Sequence, residues 1–214
     1  MTILLTGATG LIGAQLTRLL PHDEAHLLTR RAVDGGLDQT VVPPADWPAI
    51  IAKLKPVTAI STLGTTIRQA GSQAGFRVVD YDLVLSTATA AKAAGARHFI
   101  MVSSVGASAQ SRNFYLKIKG EVEDAVRALG FDRTDILRPG LLRGDRSDST
   151  RWGEKMAMMV SPVTDLLTPA VLSQYRSIDA ASVAGAIAAL VGAPEGGAHV
   201  HHNREMLALA RSIG

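Results

Sequence analysis

The chain of 214 residues contains no cysteine, which excludes disulfides, thiolate nucleophiles and cysteine metal sites. Aromatic residues make up only 4%, too few for a base-stacking platform on single-stranded nucleic acid. Charge of one sign is also scarce in any one place: 22 Lys and Arg against 19 Asp and Glu leave a net +3. These charges are scattered, so a nucleic-acid partner is not expected. Long apolar runs are missing as well. The most apolar stretch, 183 to 193, is alanine-rich, broken by glycine and far short of the ~20 residues that cross a bilayer. Without a basic leader, the start Met1-Thr-Ile-Leu-Leu-Thr-Gly reads as a first strand rather than a signal peptide. A cytoplasmic protein with no membrane partner, a monomer or homodimer, is expected.

What the chain does have is apolar residues, 47% of the total, enough to fill one sizeable core. Short β-type runs alternate with longer helical patterns. Strands are expected at 3 to 6, 26 to 29, 57 to 62, 98 to 103 and 134 to 137, with a minor one at 40 to 42. Helices fall at 11 to 20, through Ala94 and through Leu129. Strands that are apolar throughout belong in a parallel sheet covered on both faces. The expected fold is therefore a Rossmann-like, doubly wound α/β sheet. It forms a single domain over 1 to 214, and residues 143 to 177 interrupt the alternation with Trp152, Met156, Met158, Met159, Pro162 and Pro169. That segment reads as a substrate lobe or lid, or as packing onto the sheet.

Directly after the first strand comes Thr6-Gly7-Ala8-Thr9-Gly10-Leu11-Ile12-Gly13. In this strand-to-helix setting Gly7 permits a tight turn, Gly10 lets backbone approach a pyrophosphate, and Gly13 allows close packing of the helix. The phosphate would meet unpaired amides at the helix N-terminus. The second strand ends Thr29-Arg30-Arg31 where an acid would bind a free ribose 2′-hydroxyl. Guanidinium groups suit a 2′-phosphate instead, so NADP is preferred over NAD, with Asp34 on the ribose as the competing reading. Leu63 and Gly64, after the fourth strand, read either as lying along the cofactor, Gly64 allowing close approach, or as a plain turn after the strand.

Tyr115 and Lys119 stand four residues apart on a predicted helix, hence on one face. A nearby ammonium favours the phenolate form of a tyrosine, which suits Tyr115 to general acid and base work. Lys119 would also bind the nicotinamide ribose. Ser103 and Ser104 close the fifth strand, and one of them would bond the substrate oxygen. Ser104 is favoured, although alternation decides the matter only if the strand end is known. Arg138-Pro139-Gly140 ends the sixth strand, and Pro139 either borders the nicotinamide or simply stops the sheet. His199, His201 and His202 have no acidic partner at suitable spacing nearby, so no metal site is expected. Asp80 and Asp82 read as helix-surface or capping residues.

Taken together, the stretches 6 to 13, 63 to 66, 98 to 104, 113 to 123 and 131 to 140 resemble the short-chain dehydrogenase/reductase superfamily, and within it the atypical branch of Tat-interacting oxidoreductase-like proteins. The resemblance implies an NADP-binding Rossmann fold with a Ser, Tyr, Lys set at Ser104, Tyr115 and Lys119. Its serine-to-tyrosine interval is slightly short for the superfamily. The function expected is an NADP-dependent oxidoreductase passing hydride between nicotinamide and a small carbonyl or alcohol. The alternatives are an NADP-sensing regulator with little turnover and an epimerase or dehydratase using transient hydride transfer.

Overall fold

A computed structural model describes residues 2–143, 175–194 and 196–213. Seven parallel strands form one sheet in the order β3-β2-β1-β4-β5-β6-β9. They are β1 (Ile3–Thr6), β2 (Ala25–Thr29), β3 (Asp38–Val41), β4 (Thr58–Ser61), β5 (His98–Val102), β6 (Arg133–Leu137) and β9 (Gly197–His201). A small second sheet pairs β7 (Leu142–Arg143) with β8 (Ile178–Asp179). The strand order reverses between β1 and β4, and such a switch point leaves a crevice at the carboxyl ends of the strands. This is the doubly wound Rossmann-like fold expected from the sequence.

Alternation along each strand builds two cores. Ile3, Leu5, Leu27, Ile60, Ile100 and Leu137 face one layer, covered by α1 (Leu11–Leu16), α7 (Ala180–Leu190) and α8 (Asn203–Arg211). Leu4, Leu28, Ala59, Phe99, Met101 and Ile136 face the other, beneath α2 (Trp47–Leu54), α5 (Val84–Ala93) and α6 (Phe114–Ala128). Because both faces are buried, the strands are mostly apolar on both, which is why several read as near-continuous apolar runs, and the polar residues they carry, such as Thr6, His98 and Asp135, are buried with hydrogen-bond partners.

Several elements depart from the expectations. The first helix ends at Leu16 rather than Leu20. Past it the chain tightens into i→i+3 bonds such as Leu19 to Leu16, while the Thr17 hydroxyl donates back to the Ala14 carbonyl. The helix expected through Ala94 is broken into α3 (Ile67–Ala70), α4 (Gln73–Arg77), a π-wound stretch Val78–Leu83, and α5. Polar β9 escaped notice because it lies at the sheet edge with half-open faces. The segment read as a substrate lobe, with Trp152 and the methionine cluster, falls almost wholly outside the described residues.

Candidate functional site

The glycine loop sits at the switch point and its three glycines do different work. Gly7 has φ +86°, and a β-carbon there would stand 2.6 Å from the Thr62 carbonyl carbon and 2.7 Å from the Leu63 nitrogen. Its absent side chain lets the exits of β1 and β4 touch. Gly13 lets α1 pack on the loop itself, since a β-carbon would come within 2.7 Å of the Ala8 α-carbon. Gly10 differs: its nearest neighbours would be the Gly7 and Thr62 carbonyl oxygens at 3.4 and 4.0 Å. It caps α1 with no side-chain hydrogen bond, so the first amides of the helix have no side-chain acceptor there. Thr9 is exposed, Leu11 is half-buried, and Ile12 is sunk in the core. Ile12 can therefore offer a ligand only its backbone.

Arg30 and Arg31 are both exposed at the end of β2. The Thr29 hydroxyl donates to the Arg31 carbonyl at 2.8 Å and tightens this turn. Among the described residues neither guanidinium has a carboxylate partner.

On α6, Asn113 caps the helix by accepting from the Leu116 amide at 3.2 Å. This places Tyr115 in the first turn, half-buried, with its ring packed on Phe76 at 5.4 Å between centroids. Lys119, one turn on, is buried, with Nζ 2.7 Å from Asp80 Oδ1. Burial works against its charge, but Asp80 and then Tyr115 outweigh it and hold the ammonium above the ordinary lysine range. Gly64 lies alongside: a β-carbon there would be 3.6 Å from Asp80 Oδ1 and 3.9 Å from Lys119 Nζ. Leu63 is half-buried against the second core.

Asp80 thus corrects its reading as a surface or capping residue. It is 1% exposed, accepts the Thr65 amide at 2.9 Å and pairs with Lys119. An ordinary helical period misplaces it, because a π turn shifts the phase of every side chain around it. Glu123 was also missed. Fully buried on α6, it accepts from the Ser103 hydroxyl and from Arg127 and Arg138. Its position four residues after Lys119 on the inward face is the signal that was available.

These contacts separate the two serines. Ser103 turns to the helix and gives its hydroxyl to Glu123, whereas Ser104 is half-buried and its hydroxyl meets, among the described residues, only the Val105 carbonyl at 3.3 Å. Pro139 is buried and its carbonyl accepts the Val105 amide at 3.0 Å, which ties the exit of β6 to that of β5.

Asp135, 66 residues from His201 along the chain, supplies the acid that the histidine segment lacked nearby. Its carboxylate accepts from His98, His201 and both ends of the Arg133 guanidinium at 2.6–3.0 Å. Burial opposes the charge, but these donors hold Asp135 far below the usual carboxylate range. With its lone pairs spoken for and a permanent cation beside it, this carboxylate is a structural hub. Among the described residues no cluster of three or more His, Asp or Glu is arranged to hold a metal ion. No helix among them is long and apolar enough to cross a membrane.

The strand order and the glycine loop at its switch point define a doubly wound, Rossmann-like α/β domain. The pattern of the HIM1 family matches residues 40–169, over half the chain, and the protein belongs to that family, which replaces the narrower Tat-interacting assignment. It is 41% identical over 159 residues to protein FMP52-1, mitochondrial, of Scheffersomyces stipitis, covering 70% of each chain. The expected cytoplasmic location is overturned by this finding, for FMP52 relatives from several further fungi are likewise named mitochondrial. Among solved structures, a UDP-glucose 4-epimerase of Thermus thermophilus in complex with NAD superposes with TM-score 0.70 at 19% identity, covering all of this chain and 84% of the other. A dTDP-4-dehydrorhamnose reductase of Bacillus anthracis in complex with NADP gives 0.64 at 17%, covering all of this chain and 80% of the other. At such identities the likeness establishes the fold.

Proposed function

We propose that this protein binds a nicotinamide dinucleotide, NADP in preference to NAD, and catalyses hydride transfer between it and a small carbonyl or alcohol. The observation that carries the reading is the continuity of the loop after β4. At one end it packs on Gly7 of the glycine loop, and two residues on, Gly64 lies against Lys119. A dinucleotide with its pyrophosphate at Gly10 then runs past Leu63 and Gly64 toward the ammonium and the phenol of the same helix.

The residues present fit such a group. The loop leaves Gly10 open, Lys119 brings an ammonium suited to ribose hydroxyls, and Arg30 and Arg31, without a carboxylate partner among the described residues, stand where a 2′-phosphate would lie. The bound cofactor would supply the hydride. Tyr115 donates a proton to the carbonyl oxygen in reduction and takes it back in oxidation. Ser104, without a side-chain partner among the described residues, bonds the same oxygen and fixes its place. The substrate stays a small molecule of unspecified identity, and no nucleic acid or membrane enters the reading.

The test is a titration with NADPH and NADH followed by turnover against a panel of small aldehydes and ketones. Arg30→Ala is expected to weaken NADPH about tenfold or more while leaving NADH nearly unchanged, the loss of a charge-assisted pair; equal effects would remove the NADP preference. Tyr115→Phe is expected to abolish turnover with the dinucleotide still bound. Turnover undiminished in that variant would overturn the chemistry.

A further inference from the structure

The Lys119 ammonium carries its counter-ion with it. Asp80 stands on the π-wound stretch, whose altered winding turns it inward between α4 and α5. One of its oxygens accepts the Thr65 amide and the other meets Lys119 Nζ. A single carboxylate therefore joins three pieces of chain: the exit loop of β4, the π segment and α6. Among the described residues, the charged or titratable groups that act on Lys119 are Asp80, and Tyr115 and Glu123 from its own helix. Glu123 is committed elsewhere, to Ser103, Arg127 and Arg138. Gly64, facing the pair from the β4 loop, brings no charge.

We propose that Asp80 is the positioning residue of this site, holding the Lys119 ammonium against Gly64 where the dinucleotide passes and supplying the carboxylate that, among the described residues, pairs with it. The proposal rests on the dinucleotide reading above. Its physical basis is the opposition between burial and pairing: a buried ammonium without a counter-ion tends to lose its proton, and at 6% exposure Lys119 is a buried ammonium. Remove the carboxylate and burial acts on it with only the more distant charges in opposition.

Asp80→Asn keeps the shape and still accepts the Thr65 amide. In that variant, NADPH affinity is expected to fall about tenfold or more between pH 7 and 9.5, while the unaltered protein changes less than about threefold. The second measurement uses no cofactor. In ligand-free protein with carbon-13 in lysine Cε, the Lys119 resonance, assigned through Lys119→Arg, is expected to titrate at least about one pH unit lower in Asp80→Asn. A variant with pH-independent affinity and an unmoved Lys119 resonance overturns the proposal. Failure of the unaltered protein to bind either dinucleotide overturns the functional reading instead, and the resonance still judges the pairing of Asp80 with Lys119. If Asp80→Asn does not fold, Asp80→Glu takes its place. Keeping the charge while moving it predicts weaker affinity without the pH trend, and affinity equal to the unaltered protein counts against positioning.

Discussion

Gly10→Ala separates what the glycine loop does for folding from what it does for a ligand. At φ −84° this position is open to any L-residue, and the new methyl would meet only two carbonyl oxygens, at 3.4 and 4.0 Å. The cost to folding is then mainly the poorer helix cap, about 0.5–1 kcal/mol, or roughly 1–4 °C in Tm for a chain of this size. Gly7→Ala is the comparison. It forces an alanine to φ +86°, about 1–2 kcal/mol, and drives a methyl to 2.6 Å from backbone, about 1–3 kcal/mol more. Together these correspond to a Tm loss of roughly 4–20 °C. Binding reverses the order of interest, since under the proposed reading the Gly10 methyl takes space needed by the pyrophosphate. Excluding it is expected to weaken NADPH by about tenfold or more, at least ~1.4 kcal/mol. Thermal melts and calorimetric NADPH titrations of both variants decide the matter. A Gly10→Ala protein that melts as expected and binds NADPH within about twofold of the original refutes the placement of the pyrophosphate.

The two serines should part in the same manner. Ser103→Ala deprives the buried Glu123 of a donor and is expected to cost about 1–3 kcal/mol, read by urea unfolding, whereas Ser104→Ala should stay within about 0.5 kcal/mol and lose turnover; a reversed pattern would exchange their roles. Asp135 gives a pH prediction. Its folded carboxyl is held below the unfolded value, so its contribution is complete above the ordinary carboxylate range, near pH 4, and is lost progressively as pH falls below it. Asp135→Asn, leaving His98, His201 and Arg133 without their shared anion, is expected to cost about 3–5 kcal/mol at neutral pH and to flatten the decline of stability below pH 4. Melts from pH 2.5 to 7 that run parallel for both proteins would refute this. Gly120→Ala would set a β-carbon on the backbone of Ser108 and Ala109, and should destabilise by about 1–3 kcal/mol as measured by chemical unfolding; an unchanged midpoint would mean that this loop moves freely aside.

Much of the fold was legible because doubly wound sheets announce themselves locally. Strands 3 to 6 and 98 to 102 are apolar but for Thr6 and His98, since helices cover both faces, and the glycine loop stands between a strand and a helix, the setting its motif requires. The 115 and 119 spacing could be placed on one helical face without any structure. Illegible were the groups whose meaning depends on distant chain. Asp80 looked like a helix-surface acid because nothing local reveals that residues 78–83 wind as a π turn. Asp135 looked like one more strand residue until β9 brought His201 to it.

By itself, then, the sequence determined the sheet class, the glycine-rich turn between β1 and α1 and the shared face of Tyr115 and Lys119, because each follows from short-range periodicity and backbone freedom. Only the tertiary structure decided which serine is committed to Glu123, which carboxylate holds Lys119, and which glycine of the loop is left open. Those outcomes depend on contacts between residues up to 56 positions apart, such as Thr6 and Thr62. No local propensity specifies such contacts, since they form only when the packed sheet brings its strand ends together.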